Sequence, residues 1–146
     1  MSNLYLVDDD QDVLDSLSWM LNGLGYQPQG FLSADDFLKS VDLQQSAIAI
    51  LDVQMPGMDG SALLSHMVQA NSPIAVIMLS GHGNIAMAVQ AIQKGALDFL
   101  EKPVDGDKLA ILLALVGGFA ASISIIAGMG MLWIRKPMLQ KILTNA

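Results

Sequence analysis

The chain has no cysteine and few basic residues, and each shortage narrows what the protein can do. Without cysteine, its 146 residues can form neither a disulfide nor a thiolate metal site. Seven basic residues stand against fourteen acidic ones, which gives a net charge of −7. Nucleic acid binding needs a basic face, so we expect no direct nucleic acid binding. The length predicts one domain of ordinary size.

Charge is also missing from one region of the chain. All fourteen acidic residues lie within residues 1–108, whereas residues 109–146 contain three basic residues and no acid. Residues 109–134 carry no charge at all. We therefore expect a domain over residues 1–108, an apolar helical segment over residues 109–134 and a short basic tail over residues 135–146.

Short apolar runs alternate with helical patterns along the first part of the chain. Each run has a length typical of a strand and ends in turn residues or acids. Between the runs, apolar residues recur at helical spacing, and Ser33 is a suitable N-cap for the second helix. Alternation of this kind predicts a parallel sheet with helices on both faces. The predicted strands cover residues 3–8, 27–31, 47–51, 74–79 and 97–101.

Polar residues lie at the carboxyl ends of four of the predicted strands. They are, in chain order, Asp8, Asp9, Asp52, Ser80 and Lys102. Because the carboxyl ends of parallel strands share one edge of the sheet, we expect these side chains to meet where open α/β sheets bind ligands. Clustered carboxylates repel one another unless a cation lies among them. Oxygen ligands suit Mg²⁺, so the pattern indicates an Mg²⁺ site beside a phosphoryl acceptor.

Four segments resemble the receiver domain of two-component response regulators. They are Leu6–Asp10, Leu51–Gly60, Leu79–Gly83 and Glu101–Pro103. The resemblance covers roughly residues 3–108 and is closest to regulators of the nitrogen-fixation and nitrogen-assimilation type. It implies a flavodoxin-like, doubly wound α/β fold with five parallel strands in the order 2-1-3-4-5.

The resemblance implies a role for each acidic residue at the strand ends. Asp52 is similar to the aspartate that accepts the phosphoryl group, and it would also be a metal ligand. Asp8 and Asp9 are similar to the acidic pair that holds Mg²⁺, with Asp9 expected to bind directly and Asp8 partly through water. Gln54 would contribute its backbone carbonyl to the metal.

Three further residues match the switch of the family. Lys102 matches the lysine that pairs with the phosphoryl group, and its bond to Pro103 is expected to be cis. Ser80 matches the hydroxyl residue that turns toward the phosphoryl group. Phe99 matches the aromatic residue whose rotamer changes at the same time. Phosphorylation would thus shift an equilibrium between two existing conformations.

The resemblance implies a signalling protein rather than an enzyme, with a sensor histidine kinase as its partner. Two alternatives stay open. The receiver could serve only protein–protein interaction within a membrane-associated, truncated or fused protein. An aspartate-nucleophile phosphohydrolase also forms an acyl phosphate, but it commonly needs a second acid two residues after the nucleophile. This chain has Gln54 there, which disfavours hydrolysis.

The apolar segment is the part of the chain that the resemblance does not explain. A receiver should end in a fifth helix starting near Gly106, yet residues 109–134 have no polar face. An uncharged run longer than about 18 residues is a transmembrane candidate. We expect a fifth helix followed by a membrane-inserting segment, or an oligomerisation helix in a homodimer. The receiver would be cytoplasmic, with anchoring at the inner membrane as one alternative.

Overall fold

The computed structural model describes residues 3–116, in which strands and helices alternate. The strands are all parallel, and their order in the sheet is β2-β1-β3-β4-β5. This arrangement confirms the predicted flavodoxin-like fold. The elements are β1 (Asn3–Val7), α1 (Gln11–Gly23), β2 (Gln29–Phe31), α2 (Ala34–Ser40), β3 (Ala47–Asp52), α3 (Gly60–Gln69), β4 (Ala75–Ser80), α4 (Ile85–Lys94), β5 (Asp98–Glu101) and α5 (Gly106–Val116).

The observed strand ends differ from the predicted ones by one or two residues. The largest difference is in β2, which begins at Gln29 rather than at residue 27. Pro28 precedes it and has no N–H to donate to a neighbouring strand. Strands β3 and β4 each extend one residue further than predicted, so Asp52 and Ser80 are the last residues of their strands.

Side-chain caps set the starts of the helices. Asp10 accepts a hydrogen bond from the backbone N–H of Asp12 at the start of α1. Ser33 accepts one from the backbone N–H of Asp36 at the start of α2, as the sequence predicted. Such caps satisfy N–H groups that have no partner within the helix. The loop before α1 is therefore anchored directly beside Asp8 and Asp9.

The sheet buries a different core on each face. Alternation along β3 sends Ala47, Ala49 and Leu51 to one face and Ile48 and Ile50 to the other. The first face is covered by α2, α3 and α4, and we call it the aromatic face because it contains the contacting rings of Tyr5, Phe31 and Phe37. The second is covered by α1 and α5, and we call it the aliphatic face.

Helix α5 continues through residue 108, the predicted end of the first domain. Leu109 and Leu113 are fully buried on the aliphatic face, whereas Ile111 and Leu115 are exposed. In the part of the chain that the structure describes, no helix is both long and apolar enough to cross a membrane. The remainder of the predicted apolar segment, and the predicted basic tail, lie outside the described residues.

Candidate functional site

The three consecutive aspartates after β1 have three different surroundings. Asp8 is only 2% exposed, whereas Asp9 and Asp10 are exposed. The Oδ1 atom of Asp8 accepts a hydrogen bond of 2.9 Å from the backbone N–H of Asp10. Asp10 in turn caps α1. The turn thus keeps the Asp8 side chain buried at the end of β1 and leaves the Asp9 side chain exposed to solvent.

Lys102 joins two buried carboxylates. Its Nζ atom lies 2.7 Å from Asp8 Oδ2 and 3.2 Å from Asp52 Oδ1. The backbone N–H of Lys102 donates a 2.8 Å hydrogen bond to the carbonyl of Ser80, which places the lysine beside the end of β4. The peptide bond to Pro103 is cis, as the sequence analysis expected. The carboxylates of Asp8, which follows β1, and Asp52, which ends β3, therefore converge on the ammonium group of a lysine that follows β5.

The charges in this cluster shift the pKa values of two of its members. Burial and the negative charge of Asp8 raise the pKa of Asp52, and Lys102 opposes that rise only in part. Burial lowers the pKa of Lys102, but the hydrogen bonds and charges of Asp8 and Asp52 outweigh burial and raise it. Lys102 therefore stays protonated at neutral pH. The Asp52 carboxylate is one that a further cation would stabilise.

Asp8, Asp9 and Asp52 form a donor set that fits Mg²⁺. One carboxylate oxygen from each residue lies within 4.8 Å of the other two. Mg²⁺ prefers oxygen ligands, commonly binds to one or two carboxylates and retains several waters. The exposure of Asp9 keeps one side of the cluster open to solvent. Gln54 is exposed in the loop after β3, and its backbone N–H partly offsets the rise in the pKa of Asp52.

The two predicted switch residues lie on neighbouring strands. Ser80 is 1% exposed, and its Oγ accepts a 3.1 Å hydrogen bond from the backbone N–H of His82. Its neighbour Leu79 pairs with Asp52 across the sheet, so Ser80 lies beside the acidic cluster. Phe99 is half-buried on β5 and lines a cavity of about 100 Å³. The cavity is also lined by Val53, Ser61, Leu64, Met78, Met87, Gln90 and Ala91.

Gly60 is a positioning residue to which the sequence pattern gave no role beyond ending a segment that resembles the receiver domain. A Cβ atom at this position would overlap the backbone carbonyl oxygen of Asp52. The N–H of Gly60 also donates a 3.0 Å hydrogen bond to the carbonyl of Val53. Helix α3 thus begins against the backbone of Asp52, which only glycine allows. The available signal was a glycine directly after Asp59, the N-cap of α3.

A family model described as the response regulator receiver domain matches residues 4–114 of this chain. The chain belongs to the response regulator receiver family. It is 38% identical over 104 residues to the tetrathionate response regulatory protein TtrR of Salmonella typhimurium, covering 71% of this chain and 50% of TtrR. It is 37% identical over 111 residues to the transcriptional regulatory protein FixJ of Bradyrhizobium diazoefficiens, covering 76% of this chain and 54% of FixJ.

The receiver family accounts for the fold as well. A crystal structure of a response regulator receiver domain protein from Clostridium thermocellum superposes with a TM-score of 0.68 at 25% identity, covering 80% of this chain and 94% of that one. The chain spans about half the length of TtrR and FixJ. Receiver domains act in two-component phosphorelay signalling, where sensor histidine kinases phosphorylate them and Mg²⁺ binds at an acidic cluster. None of these findings favours a phosphohydrolase.

Proposed function

We propose that this receiver takes a phosphoryl group from a sensor histidine kinase onto Asp52 and changes conformation as a result. One observation carries the proposal. A single lysine contacts two buried carboxylates, Asp8 and Asp52, while the exposed Asp9 brings a third carboxylate to the same point. This arrangement combines a nucleophile, a cationic partner and a set of oxygen ligands within one open cluster.

The chemistry requires neutralisation, because the acceptor and the transferring group are both anionic. A carboxylate oxygen of Asp52 would form a bond to phosphorus as the bond between phosphorus and the kinase histidine nitrogen breaks. The imidazole nitrogen keeps the electron pair of that bond and takes up a proton. Lys102 would move its hydrogen bonds from the free carboxylates to the new phosphoryl oxygens. Bound by Asp8, Asp9, Asp52 and the Gln54 carbonyl, Mg²⁺ would supply two further positive charges.

Ser80 and Phe99 would couple this reaction to a change in shape. The Ser80 hydroxyl would turn toward the phosphoryl group, giving up the hydrogen bond from the His82 N–H. Phe99 lies next to free volume on the aromatic face, so its ring has space into which it can turn. A new arrangement of these two residues would change the surface around α4 and β5. A phosphorylation-dependent partner would bind to that surface.

A groove beside the site supports the proposal of a protein partner. It has a volume of about 550 Å³ and lies between α1 and the loop after β5. Its lining includes Val13, Leu17, Met20 and Val104, with Lys102 at one side. An apolar surface next to the acceptor suits a helical partner that must bring its phosphohistidine close to Asp52.

Phosphorylation by acetyl phosphate tests the central proposal without the kinase. Incubation with acetyl phosphate and Mg²⁺ should add one phosphoryl group, detected by intact-protein mass spectrometry. Asp52→Asn should abolish the addition. Asp59→Asn is the matched control, because Asp59 is another acid of the same loop and asparagine preserves its cap on α3. Retained phosphorylation in Asp52→Asn, or none in the parent, would reject Asp52 as acceptor.

The same phosphorylation measurement tests whether the reaction requires Mg²⁺ and whether Asp9 helps to bind it. Removal of Mg²⁺ with EDTA should suppress phosphorylation, and Asp9→Asn should raise the Mg²⁺ concentration that phosphorylation requires. Asp10→Asn is the control, because Asp10 is also exposed, lies next in the chain and keeps its capping role as asparagine. An equal effect of the two substitutions would indicate a general loss of negative charge rather than loss of a ligand.

Membrane association and dimerisation through residues 109–134 stay predictions. Residues 109–116 belong to α5, and the rest of the segment lies outside the described residues. Flotation of the chain with anionic phospholipid vesicles would test the membrane alternative and, with it, anchoring at the inner membrane. Light scattering without lipid would test the homodimer.

A further inference from the structure

Gly83, in the loop between β4 and α4, lies directly against both switch residues. A Cβ atom built on Gly83 would lie 2.6 Å from Cε1 and 2.9 Å from Cζ of Phe99, and 3.4 Å from Cβ of Ser80. Non-bonded carbon atoms prefer separations of about 3.5–4.0 Å. The outer edge of the Phe99 ring therefore rests on the loop backbone, in space that any side chain at position 83 would occupy.

Gly83 is required for space rather than for backbone conformation. Within residues 3–116, the glycines with positive φ are Gly25, Gly57 and Gly95. Gly83 is not among them, so its φ lies on the side that alanine also prefers. Any effect of Gly83→Ala must then come from contact with neighbouring atoms, and the closest of these belong to the Phe99 ring.

The ring is more able to move than the loop. On one side of Gly83, the His82 N–H donates to Ser80 Oγ at 3.1 Å. On the other side, Asn84 caps α4 by accepting a 2.9 Å hydrogen bond from the Met87 N–H. A shift of the loop would disturb these bonds, whereas Phe99 needs only side-chain rotation. A cavity of about 100 Å³ is adjacent to the ring and can receive it.

We propose that Gly83 is a positioning residue of the switch. Because it has no side chain, the Phe99 ring can rest against the β4–α4 loop beside Ser80. This contact sets how readily the domain changes conformation. The inference rests on the proposed function, in which Ser80 and Phe99 respond to phosphorylation of Asp52. It adds the point that a third residue, which carries no reactive group, determines the balance between the two ring positions.

Gly83→Ala and Gly81→Ala form a matched pair that tests this inference. Both glycines are in the same loop, but a Cβ atom at Gly81 would have no atom within 4 Å. In the unphosphorylated full chain, Gly83→Ala should shift the NMR resonances of the Phe99 ring and add contacts between the ring and Met87. Gly81→Ala should leave the ring resonances unchanged. An unshifted ring in Gly83→Ala would overturn the inference.

A titration with beryllofluoride and Mg²⁺ measures the effect on switching. We expect Gly83→Ala to change the half-saturating concentration by at least about fivefold, the lower end of typical coupling between sites. Gly81→Ala should change it by less. A smaller change in Gly83→Ala would overturn the inference. If the parent itself fails to respond, the proposed function fails, while the ring resonances still report on the contact.

The Phe99→Leu variant provides a second test of the contact, because leucine lacks the two ring atoms closest to Gly83. In a Phe99→Leu background, Gly83→Ala should no longer change the half-saturating concentration by about fivefold. A change that persists there would overturn the inference. If Gly83→Ala alone does not fold, folding of the double variant would support the ring contact, and failure of both would contradict it.

Discussion

The two faces of the sheet are built from different side chains, and the difference bears on the proposed switch. Within residues 3–116, the buried residues of the aliphatic face are all leucine or isoleucine. The buried residues of the aromatic face include aromatic rings, methionines and five alanines, and a cavity of about 100 Å³ lies beside Phe99 there. Closely packed branched residues resist rearrangement, whereas methionine adapts to irregular space. One face can thus hold the acidic cluster in place while the other repacks.

The largest expected effect is a loss of stability on the aliphatic face. Leu113→Ala should lower the free energy of unfolding by about 3 kcal/mol, because it removes a fully buried side chain of α5 and leaves a cavity. Urea denaturation followed by circular dichroism measures this. Phosphorylation by acetyl phosphate should persist in the folded fraction, since Leu113 belongs to the core of the aliphatic face and not to the acidic cluster.

Ile111→Ala is the control for that measurement. Ile111 lies on the same helix and is 63% exposed, so its truncation should change the free energy of unfolding by less than about 0.5 kcal/mol. A loss as large as that of Leu113→Ala would contradict the assignment of the buried side of α5. It would show instead that the outer side of the helix is covered in the full chain.

A smaller loss of stability is expected at the acidic cluster around Lys102. Without Mg²⁺ at neutral pH, Lys102→Met should lower the free energy of unfolding by about 2 kcal/mol, because it leaves two buried carboxylates without their charged partner. Asp52→Asn should have the opposite sign, since the pKa of Asp52 is raised and its ionisation opposes folding. Urea denaturation in EDTA compares both with the parent.

The pH dependence of the free energy of unfolding provides a second check on the sign of the Asp52→Asn effect. Asp52 binds its proton more tightly in the folded state, so the advantage of Asp52→Asn should shrink as the pH falls through the raised pKa of Asp52 toward its ordinary 3.8. The pKa of Lys102 is also raised, so its stabilisation is complete below the ordinary 10.5 and is lost as the pH rises through the folded value. An advantage of Asp52→Asn that grows on acidification would contradict this account.

The sequence predicted the composition of the site better than its internal arrangement. Strand order alone brings the carboxyl ends of parallel strands together, which is why Asp8, Asp52 and Lys102 could be placed at one edge. Which of three adjacent aspartates points inward depends on the hydrogen bond from the Asp10 N–H to Asp8 and on the reach of Lys102. Neither is visible in a run of identical residues.

Two other features could not be predicted from the sequence, each for a different reason. From Leu109 onward helix α5 has no polar face, so periodicity could not show that Leu109 and Leu113 are buried while Ile111 is exposed. Gly83 precedes α4 in the chain and Phe99 follows it on β5. The distance between the two residues therefore depends on how α4 packs against the sheet. Local sequence patterns carry no information about such a contact.

The smallest expected effect tests whether the aromatic face has usable space. Ala91→Val adds two methyl groups beside the cavity, so it should lower the free energy of unfolding by no more than about 1 kcal/mol, part of it from the lower helix propensity of valine. Ala49→Val is the matched control on the same face. Ala49 is fully buried and is not among the residues lining the cavity, so overpacking there should cost about 1–3 kcal/mol although valine favours strands.

The two variants should therefore differ in whether they mainly change stability or the response to beryllofluoride. Because Ala91→Val fills space next to Phe99, it should change the half-saturating concentration of beryllofluoride, whereas Ala49→Val should reduce stability with little effect on that concentration. Urea denaturation and the beryllofluoride titration together measure both quantities. Equal losses of stability would mean that the volume beside Phe99 is not free to be filled. The aromatic face would then be as rigid as the aliphatic face, and the ring would have no space into which to turn.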